Sequence, residues 1–187
     1  MIAARRASAR RSALAALPLA ATVLLAACAT PPPAPEASLG PWTSGRLSLR
    51  VEARAGQPAQ SLGAAFELRG GGERGELKLL TPLGTQLAQA RWQPGQAELT
   101  TADGVWAFDD LDALAERALG ERVPLAALPD WLAGRPWPAA AHAVTAVGFD
   151  QLGWSVDLSR QAEGRIAAAR AAPPVVSLRV LIDRPSS

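Results

Sequence analysis

Apolar and polar residues alternate along much of residues 45–106, which is the pattern of β-strands that bury one face. In residues 45–54 every second side chain is apolar or absent, and the residues between them are charged or hydroxylated. Further segments repeat this pattern at Leu62, Ala64, Phe66 and Leu68, at Leu77 and Leu79, in residues 85–92, at Ala97 and Leu99, and at Val105 and Trp106. Gly, Pro and Asp-Gly turns separate the segments, so the pattern predicts an antiparallel meander.

The period of the apolar residues changes near Asp109, where it becomes helical. Apolar side chains then recur at i, i+3, i+4, i+7 and i+8, namely Leu111, Leu114, Ala115, Ala118 and Leu119. Asp109 or Asp110 is placed to cap the start of this helix, and Gly120 to end it. A second helical stretch is predicted at residues 125–133, where Pro129 divides or kinks it.

Alternation returns in the last third of the chain, at Leu152, Trp154, Val156 and Leu158, weakly around Ile166, and at Val176, Leu178, Val180 and Ile182. His142 precedes these segments in an alanine-rich stretch that we interpret as a loop. No internal repeat or second domain is visible. Strands, two helices and then strands predict an α+β fold, an antiparallel sheet that curls over the helices as an open barrel. Such a sheet, covered by only two short helices, leaves room for an apolar cavity.

The predicted turn between the third and fourth strands carries a leucine at its tip, in Pro82-Leu83-Gly84. Tight turns normally face water, so a large apolar side chain there is unusual. Two interpretations remain open on this pattern alone. Leu83 either folds back onto the core or meets a partner.

The amino-terminal residues are typical of an exported lipoprotein. Residues 1–12 carry four arginines and no acid, and residues 13–27 are apolar apart from one threonine, which is too short a segment to span a bilayer. Leu25-Ala26-Ala27-Cys28 resembles a lipobox, which implies cleavage before Cys28 and acylation of that cysteine. The alternatives are export by the twin-arginine route and a cysteine that is discarded with the signal. The proline-rich residues 28–41 are then a tether, and residues 42–187 a single domain.

Composition argues against nucleic-acid binding and against most catalysis. The formal net charge is +2, and without residues 1–27 and their four arginines it becomes −2, with no basic stripe. His142 is the one histidine and Cys28 the one cysteine, so neither an internal disulfide nor a metal-ligand cluster is expected. There is no Gly-x-Ser-x-Gly elbow and no phosphate-binding loop. We therefore expect a binding protein without a cofactor rather than an enzyme.

Several segments, in order along the chain, resemble the LolB family of outer-membrane lipoprotein receptors. They are Leu25-Ala26-Ala27-Cys28, Gly45-Arg46-Leu47-Ser48, the stretch from Glu76 to Thr85 around Pro82-Leu83-Gly84, Leu119-Gly120 with Val123-Pro124-Leu125, and Leu128-Pro129 with Trp131-Leu132, Gly134 and Pro136. The resemblance implies an unclosed antiparallel β-barrel whose hydrophobic cavity is closed by helices. It also implies a monomeric receptor, anchored to the outer membrane by its own acyl chains and facing the periplasm, that accepts lipoproteins from a periplasmic carrier of the LolA type.

The resemblance further implies that Leu83 is the exposed leucine that puts cargo into the membrane, with Pro82 and Gly84 holding it. For the acyl-chain cavity we select residues on the inward faces around the helices: Leu49, Phe66, Leu79, Trp106, Leu114, Trp131 and Trp154. Two other functions remain as alternatives. One is a lipoprotein scaffold or accessory in outer-membrane protein assembly, and the other is a lipid or cell-wall hydrolase.

Overall fold

The structure is a computed structural model that describes residues 39–54, 56 and 58–184. The predicted signal peptide, the acylated Cys28 and nearly all of the tether lie outside the described residues. No helix within the described part of the chain is long and apolar enough to cross a membrane.

A single antiparallel sheet of eleven strands forms the body of the described domain. The strands are β1 (Thr43–Val51), β2 (Gln60–Gly70), β3 (Gly75–Leu80), β4 (Gln86–Gln93), β5 (Gln96–Thr101), β6 (Gly104–Phe108), β7 (His142–Val144), β8 (Gly148–Gln151), β9 (Trp154–Asp157), β10 (Arg165–Arg170) and β11 (Val176–Ile182). Their order is β6-β5-β4-β3-β2-β1-β11-β10-β9-β8-β7, so β6 and β7 are unpaired edges. The predicted fold, a curled antiparallel sheet that does not close, is confirmed.

The pairing of β1 with β11 joins the two halves of this sheet. The paired residues run from Gly45 opposite Ile182 to Val51 opposite Val176. Gly45 is required for this contact, because a Cβ atom there would lie 2.2 Å from the carbonyl oxygen of Leu181. The first and last strands of the chain therefore lie at the centre of the sheet.

Two short α-helices lie on the connection between the edge strands β6 and β7. Helix α1 (Leu111–Leu119) begins at Asp110, whose Oδ1 accepts a 2.7 Å hydrogen bond from the Ala113 N–H, and ends at Gly120 with a φ of 71°. A 3₁₀ turn (Leu125–Ala127) leads directly into α2 (Leu128–Leu132), so the helical geometry changes one residue before Pro129. Pro129 lies in the first turn of α2, where a missing N–H is harmless.

The core lies between the helices and the inner face of the sheet. Helix α1 packs on β5 and β6, and α2 packs on β2. Leu114, Ala115 and Trp131 are almost completely buried. Gln151 is also buried, and its amide ties α2 to β8, since its Oε1 accepts a 2.8 Å hydrogen bond from Trp131 Nε1.

Three local predictions are wrong. His142 lies in strand β7 rather than in a loop, and the following strand β8 was not predicted either. Both strands were missed because β7 is exposed throughout and neither strand carries a clear apolar alternation. Leu152 is not a strand residue: it has a φ of 54° and, with Gly153, forms the turn between β8 and β9. The first strand ends at Val51 rather than Arg54.

One buried ion pair lies on the outer face of the sheet. Glu76 is 2% exposed and accepts a 3.0 Å hydrogen bond from Arg69 Nε, and it also accepts one from Gln89. The ring of Trp42 covers Arg69, whose guanidinium carbon lies 4.2 Å from the ring centroid. Burial by itself would raise the pKa of Glu76, but the hydrogen bonds from Arg69 and Gln89 and the charges of Arg69 and Arg91 outweigh it. The pKa is therefore lowered.

Replacing this carboxylate should weaken the fold and change its acid sensitivity. We expect Glu76→Gln to lower the free energy of unfolding by about 3 kcal/mol at neutral pH, because it removes the buried carboxylate charge that contacts the buried Arg69. In the wild type this contribution is complete above the unfolded-state pKa of about 4.3 and is lost as the pH falls through the lower folded-state pKa. The variant should lack that part of the acid dependence. Urea unfolding at several pH values measures both effects.

Glu67→Gln is the matched control for this prediction. Glu67 lies 3.8 Å from Lys78 on the same outer face, but its side chain is 39% exposed, so its ion pair contributes less than about 1 kcal/mol. Equal losses of stability in the two variants would contradict the role that we assign to the buried pair.

Candidate functional site

An apolar cavity of about 360 Å³ lies between the inner face of the sheet and the helical segment. One side of its wall comes from strands β1 to β6 and β11. The other side comes from α1, the loop that follows it, the 3₁₀ turn and the start of α2. The lining residues are Leu47, Leu49, Leu62, Leu77, Leu79, Leu87, Ala88, Ala90, Leu99, Thr101, Asp103, Trp106, Leu114, Arg117, Ala118, Leu119, Val123, Leu125, Leu128 and Leu178. Leucine predominates among them, so the cavity suits a flexible aliphatic ligand.

Small side chains explain why the core leaves this space open. Ala88 and Ala90 face inward on β4, and Ala118 lies opposite on α1. A large residue at any of these positions would fill part of the volume, as interiors are normally close-packed. The cavity is therefore a consequence of which side chains face inward as well as of the curvature of the sheet.

The charged lining residues are exposed and lie where the cavity meets solvent. Asp103, at the turn between β5 and β6, and Arg117, on α1, are both exposed, as are Ala118 and Leu87. The deeper positions, such as Leu49 and Leu114, are buried. The cavity thus has an apolar interior and a rim that carries one charge of each sign.

Four of the seven residues selected from the sequence line this cavity, namely Leu49, Leu79, Trp106 and Leu114. The other three, Phe66, Trp131 and Trp154, are buried in the core outside the lining. Trp131, on α2, and Trp154, on β9, have their ring centroids 6.2 Å apart. Their large rings fill the space that would otherwise extend the cavity.

Sequence reasoning missed most of the leucines in the wall. Leu47, Leu62, Leu77, Leu99 and Leu178 occupy inward positions of strands that the alternation had already predicted. That alternation identifies the inward face, but it does not show where the helices stop covering the sheet. Of the four aromatic residues selected from the sequence, only Trp106 lines the cavity.

The turn between β3 and β4 holds Leu83 in solvent. Its side chain is 96% exposed, so it does not fold back onto the core. The Gly84 N–H donates a 2.9 Å hydrogen bond to the Thr81 carbonyl, and the Thr81 N–H donates one of 2.8 Å to the Thr85 carbonyl. Gly84 has a φ of 86°, a conformation that glycine adopts without strain.

This turn lies close to the cavity along the chain. Leu79, near the end of β3, and Leu87, near the start of β4, both line the cavity, and Leu87 is 43% exposed. The two strands connect the interior of the cavity directly to the exposed leucine. Leu83 therefore lies four residues along the chain from a lining leucine on either side.

Comparison with known proteins agrees with these features. A family model described as outer membrane lipoprotein LolB matches residues 42–181. The chain belongs to the LolB family. The earlier resemblance to LolB, made on the motifs around Leu83 and Trp131, is confirmed.

Individual LolB proteins match over most of their length. The outer-membrane lipoprotein LolB of Bordetella petrii is 37% identical over 176 residues, which cover 87% of this chain and 88% of the relative. The LolB of Chromobacterium violaceum is 32% identical over 153 residues, covering 78% and 82%. The LolB of Azoarcus sp. is 31% identical over 188 residues, covering 93% and 95%.

A larger side chain inside the cavity should weaken its binding of an aliphatic ligand. We expect Ala88→Phe to weaken binding of a fluorescent fatty-acid probe about tenfold, because each methylene excluded from the cavity forfeits about 0.8 kcal/mol. Titration of the probe into a soluble form that begins at Ala29 measures this.

Ala107→Phe is the matched control, since Ala107 is exposed on β6 and does not line the cavity. It should bind the probe as the wild type does. Unchanged binding in Ala88→Phe would show that the probe binds elsewhere.

Proposed function

We propose that the cavity holds the acyl chains of cargo lipoproteins and that the turn at Leu83 passes them into the membrane. Membership of the LolB family supports the general function, which is that of an outer-membrane lipoprotein receptor in lipoprotein localisation. The protein handles lipoprotein cargo at the outer membrane. The observation that carries the finer proposal is an apolar cavity of about 360 Å³ whose wall continues into the turn of an exposed leucine.

The chemistry of the cavity wall matches that of an acyl chain. Burial of each methylene group is favourable by about 0.8 kcal/mol, and nearly all the deep wall atoms are aliphatic. The curved sheet and the helices enclose the chain without any obligatory polar contact. We propose that no cofactor takes part, because movement of an acyl chain from a carrier to this cavity and then to a bilayer proceeds downhill in free energy.

The exposed Leu83 supports insertion at the membrane surface. An apolar side chain that leaves water for the interfacial region gains free energy, so the turn has an affinity for lipid that a polar turn lacks. Pro82 and Gly84 hold the chain reversal that presents the leucine. Leu87, exposed at the rim, provides the adjoining apolar contact.

The anchor and partners complete the proposal. Cys28 carries the acyl chains that attach the protein to membrane lipid, and residues 28–41 link it to the domain of residues 42–187. The carrier is of the LolA type, and the receptor acts as a monomer. Family membership does not favour the assembly-scaffold alternative.

Leu83→Glu should separate acceptance of cargo from its release. A soluble form beginning at Ala29 is loaded with a lipoprotein from its carrier and then mixed with liposomes. We expect the variant to accept cargo as the wild type does, because Leu83 lies outside the cavity, and to release it at least about tenfold more slowly, because a carboxylate is disfavoured in the interface.

Leu152→Glu is the control, because Leu152 is an exposed leucine at the tip of a different hairpin, between β8 and β9. It should accept and release cargo normally. Failure of the wild type to accept cargo would contradict the acyl-binding cavity. Normal release by Leu83→Glu would contradict the role of the turn.

Catalysis by His142 is not needed for this function. His142 is exposed on the edge strand β7, and its ring lies 6.4 Å from that of Phe149. We expect His142→Ala to accept and insert cargo at the wild-type rate, since acyl-chain transfer makes or breaks no covalent bond. Loss of transfer in a variant with unchanged thermal unfolding would support the hydrolase alternative.

A further inference from the structure

A second groove, of about 410 Å³, lies across the outer face of the sheet on β1, β11, β10 and β9. Its lining differs completely in character from that of the apolar cavity. Four arginines, Arg46, Arg160, Arg165 and Arg179, surround it, together with Ser48, Asp157, Ser159, Ala167, Leu181 and the backbone of the neighbouring residues. Neither the cavity nor the turn at Leu83 accounts for it.

The strand register brings three of these arginines together. Arg46 and Arg165 flank Leu181 in one row across β1, β11 and β10. Arg179 lies two residues from Leu181 on β11, so it is a diagonal neighbour of both. Diagonal neighbours on one face of a sheet are about 7–8 Å apart, within reach of long side chains. Three guanidinium groups therefore converge on one area.

Two of the four arginines in the groove have no acidic partner among the described residues. Glu163 lies 2.6 Å from Arg160 and 3.6 Å from Arg165. Asp157 Oδ1 accepts a 2.8 Å hydrogen bond from the Ser159 N–H. Within the described part of the chain, Arg46 and Arg179 form no ion pair or hydrogen bond. Their cross-strand neighbours, such as Ser48 and Ala65, are uncharged.

The positive charge of the groove contrasts with the net charge of residues 28–187. Residues 28–187 have a formal net charge of −2, whereas the lining of the groove carries four arginines and one acid, Asp157. Like charges placed close together on a sheet repel each other unless an anion lies between them. Guanidinium groups bind phosphate oxygens through paired hydrogen bonds, so a phosphate is the anion that this geometry suits best.

We propose that this groove binds the phosphate headgroups of anionic phospholipids and so orients the domain on the membrane surface. The choice of lipid follows from the position of the groove. Arg46 pairs with Ala65 on β2, and Ala65 pairs with Leu80 at the end of β3, immediately before the turn of Leu83. With strands about 4.8 Å apart, the backbone of Arg46 lies roughly 10 Å from that of Leu80.

Headgroup binding would hold the Leu83 turn at the bilayer. A lipid anchor on Cys28 does not by itself select which face of the domain meets the bilayer. Contact of Arg46 and Arg179 with phosphates adds the missing restraint, and Leu83 then enters the interface beside them. The inference rests on the proposed function in this one respect, that insertion takes place at the Leu83 turn.

Chemical modification of the arginines tests the proposal directly. The mature lipoprotein is reconstituted in vesicles of phosphatidylcholine alone or of phosphatidylcholine mixed with phosphatidylglycerol, and is treated with phenylglyoxal. Mass spectrometry then gives the modification rate at each arginine. We expect Arg46 and Arg179 to react about fivefold more slowly on the anionic vesicles at low salt, with the difference lost at high salt. Arg50, which is exposed on β1 and pairs with Glu52 at 2.8 Å, should react equally on both.

Variants connect the groove to insertion of cargo. The wild type should insert cargo about fivefold or more faster into anionic than into neutral vesicles. In Arg46→Gln/Arg179→Gln this ratio should fall to about one, with the neutral-vesicle rate and the thermal unfolding unchanged. Arg50→Gln removes a charge from the same strand outside the groove and should keep the wild-type ratio.

The outcomes separate this inference from the proposed function. Equal modification of Arg46 on both kinds of vesicle, with normal insertion of cargo, would overturn headgroup binding and leave the receptor proposal standing. Protection by the carrier on neutral vesicles, without protection by anionic lipid, would make the groove a protein-docking surface and would also overturn it. Protection by anionic lipid in a protein that inserts no cargo would support the groove and contradict the function of the turn.

Discussion

The pairing of β1 with β11 is the contact on which the rest of the structure depends. It joins a meander of six strands to a second set of five, and places the first and last strands of the domain side by side. Gly45 permits it, because a side chain there would collide with β11. Without this central ladder there would be two smaller sheets, neither wide enough to curl around a cavity.

The open edges of this sheet decide where the cavity lies. Strands β6 and β7 do not pair with each other, and the chain between them supplies the helices that cover the inner face. Those helices are short, and their aromatic residue Trp131 fills only the space next to β8 and β9. The region beneath β4, where Ala88 and Ala90 face inward, remains open. Incomplete coverage of a large sheet thus produces an apolar cavity.

The two faces of the sheet carry different kinds of side chain. The inner face is leucine-rich and encloses the cavity, while the outer face carries the arginine groove and the buried Glu76. Alternation along each strand makes this division possible, since neighbouring residues point to opposite sides. Leu83 lies at the turn where one strand of the cavity wall leads into the next. An apolar cavity and an arginine-lined groove therefore lie on opposite faces of one sheet.

The sequence by itself determined the class of fold, the helix α1 with its end at Gly120, and the unusual turn at Leu83, because alternation, capping and turn chemistry are local properties. It left the start of α1 open between Asp109 and Asp110, and the structure places the cap at Asp110. It also carried the motifs that indicate the LolB family. Only the tertiary structure decided that Leu49, Leu79, Trp106 and Leu114 line the cavity whereas Phe66, Trp131 and Trp154 lie outside its lining in the core. It also decided that Arg46, Arg165 and Arg179 meet on one face. Both depend on strand register and helix position, which are set by contacts between residues far apart in the chain.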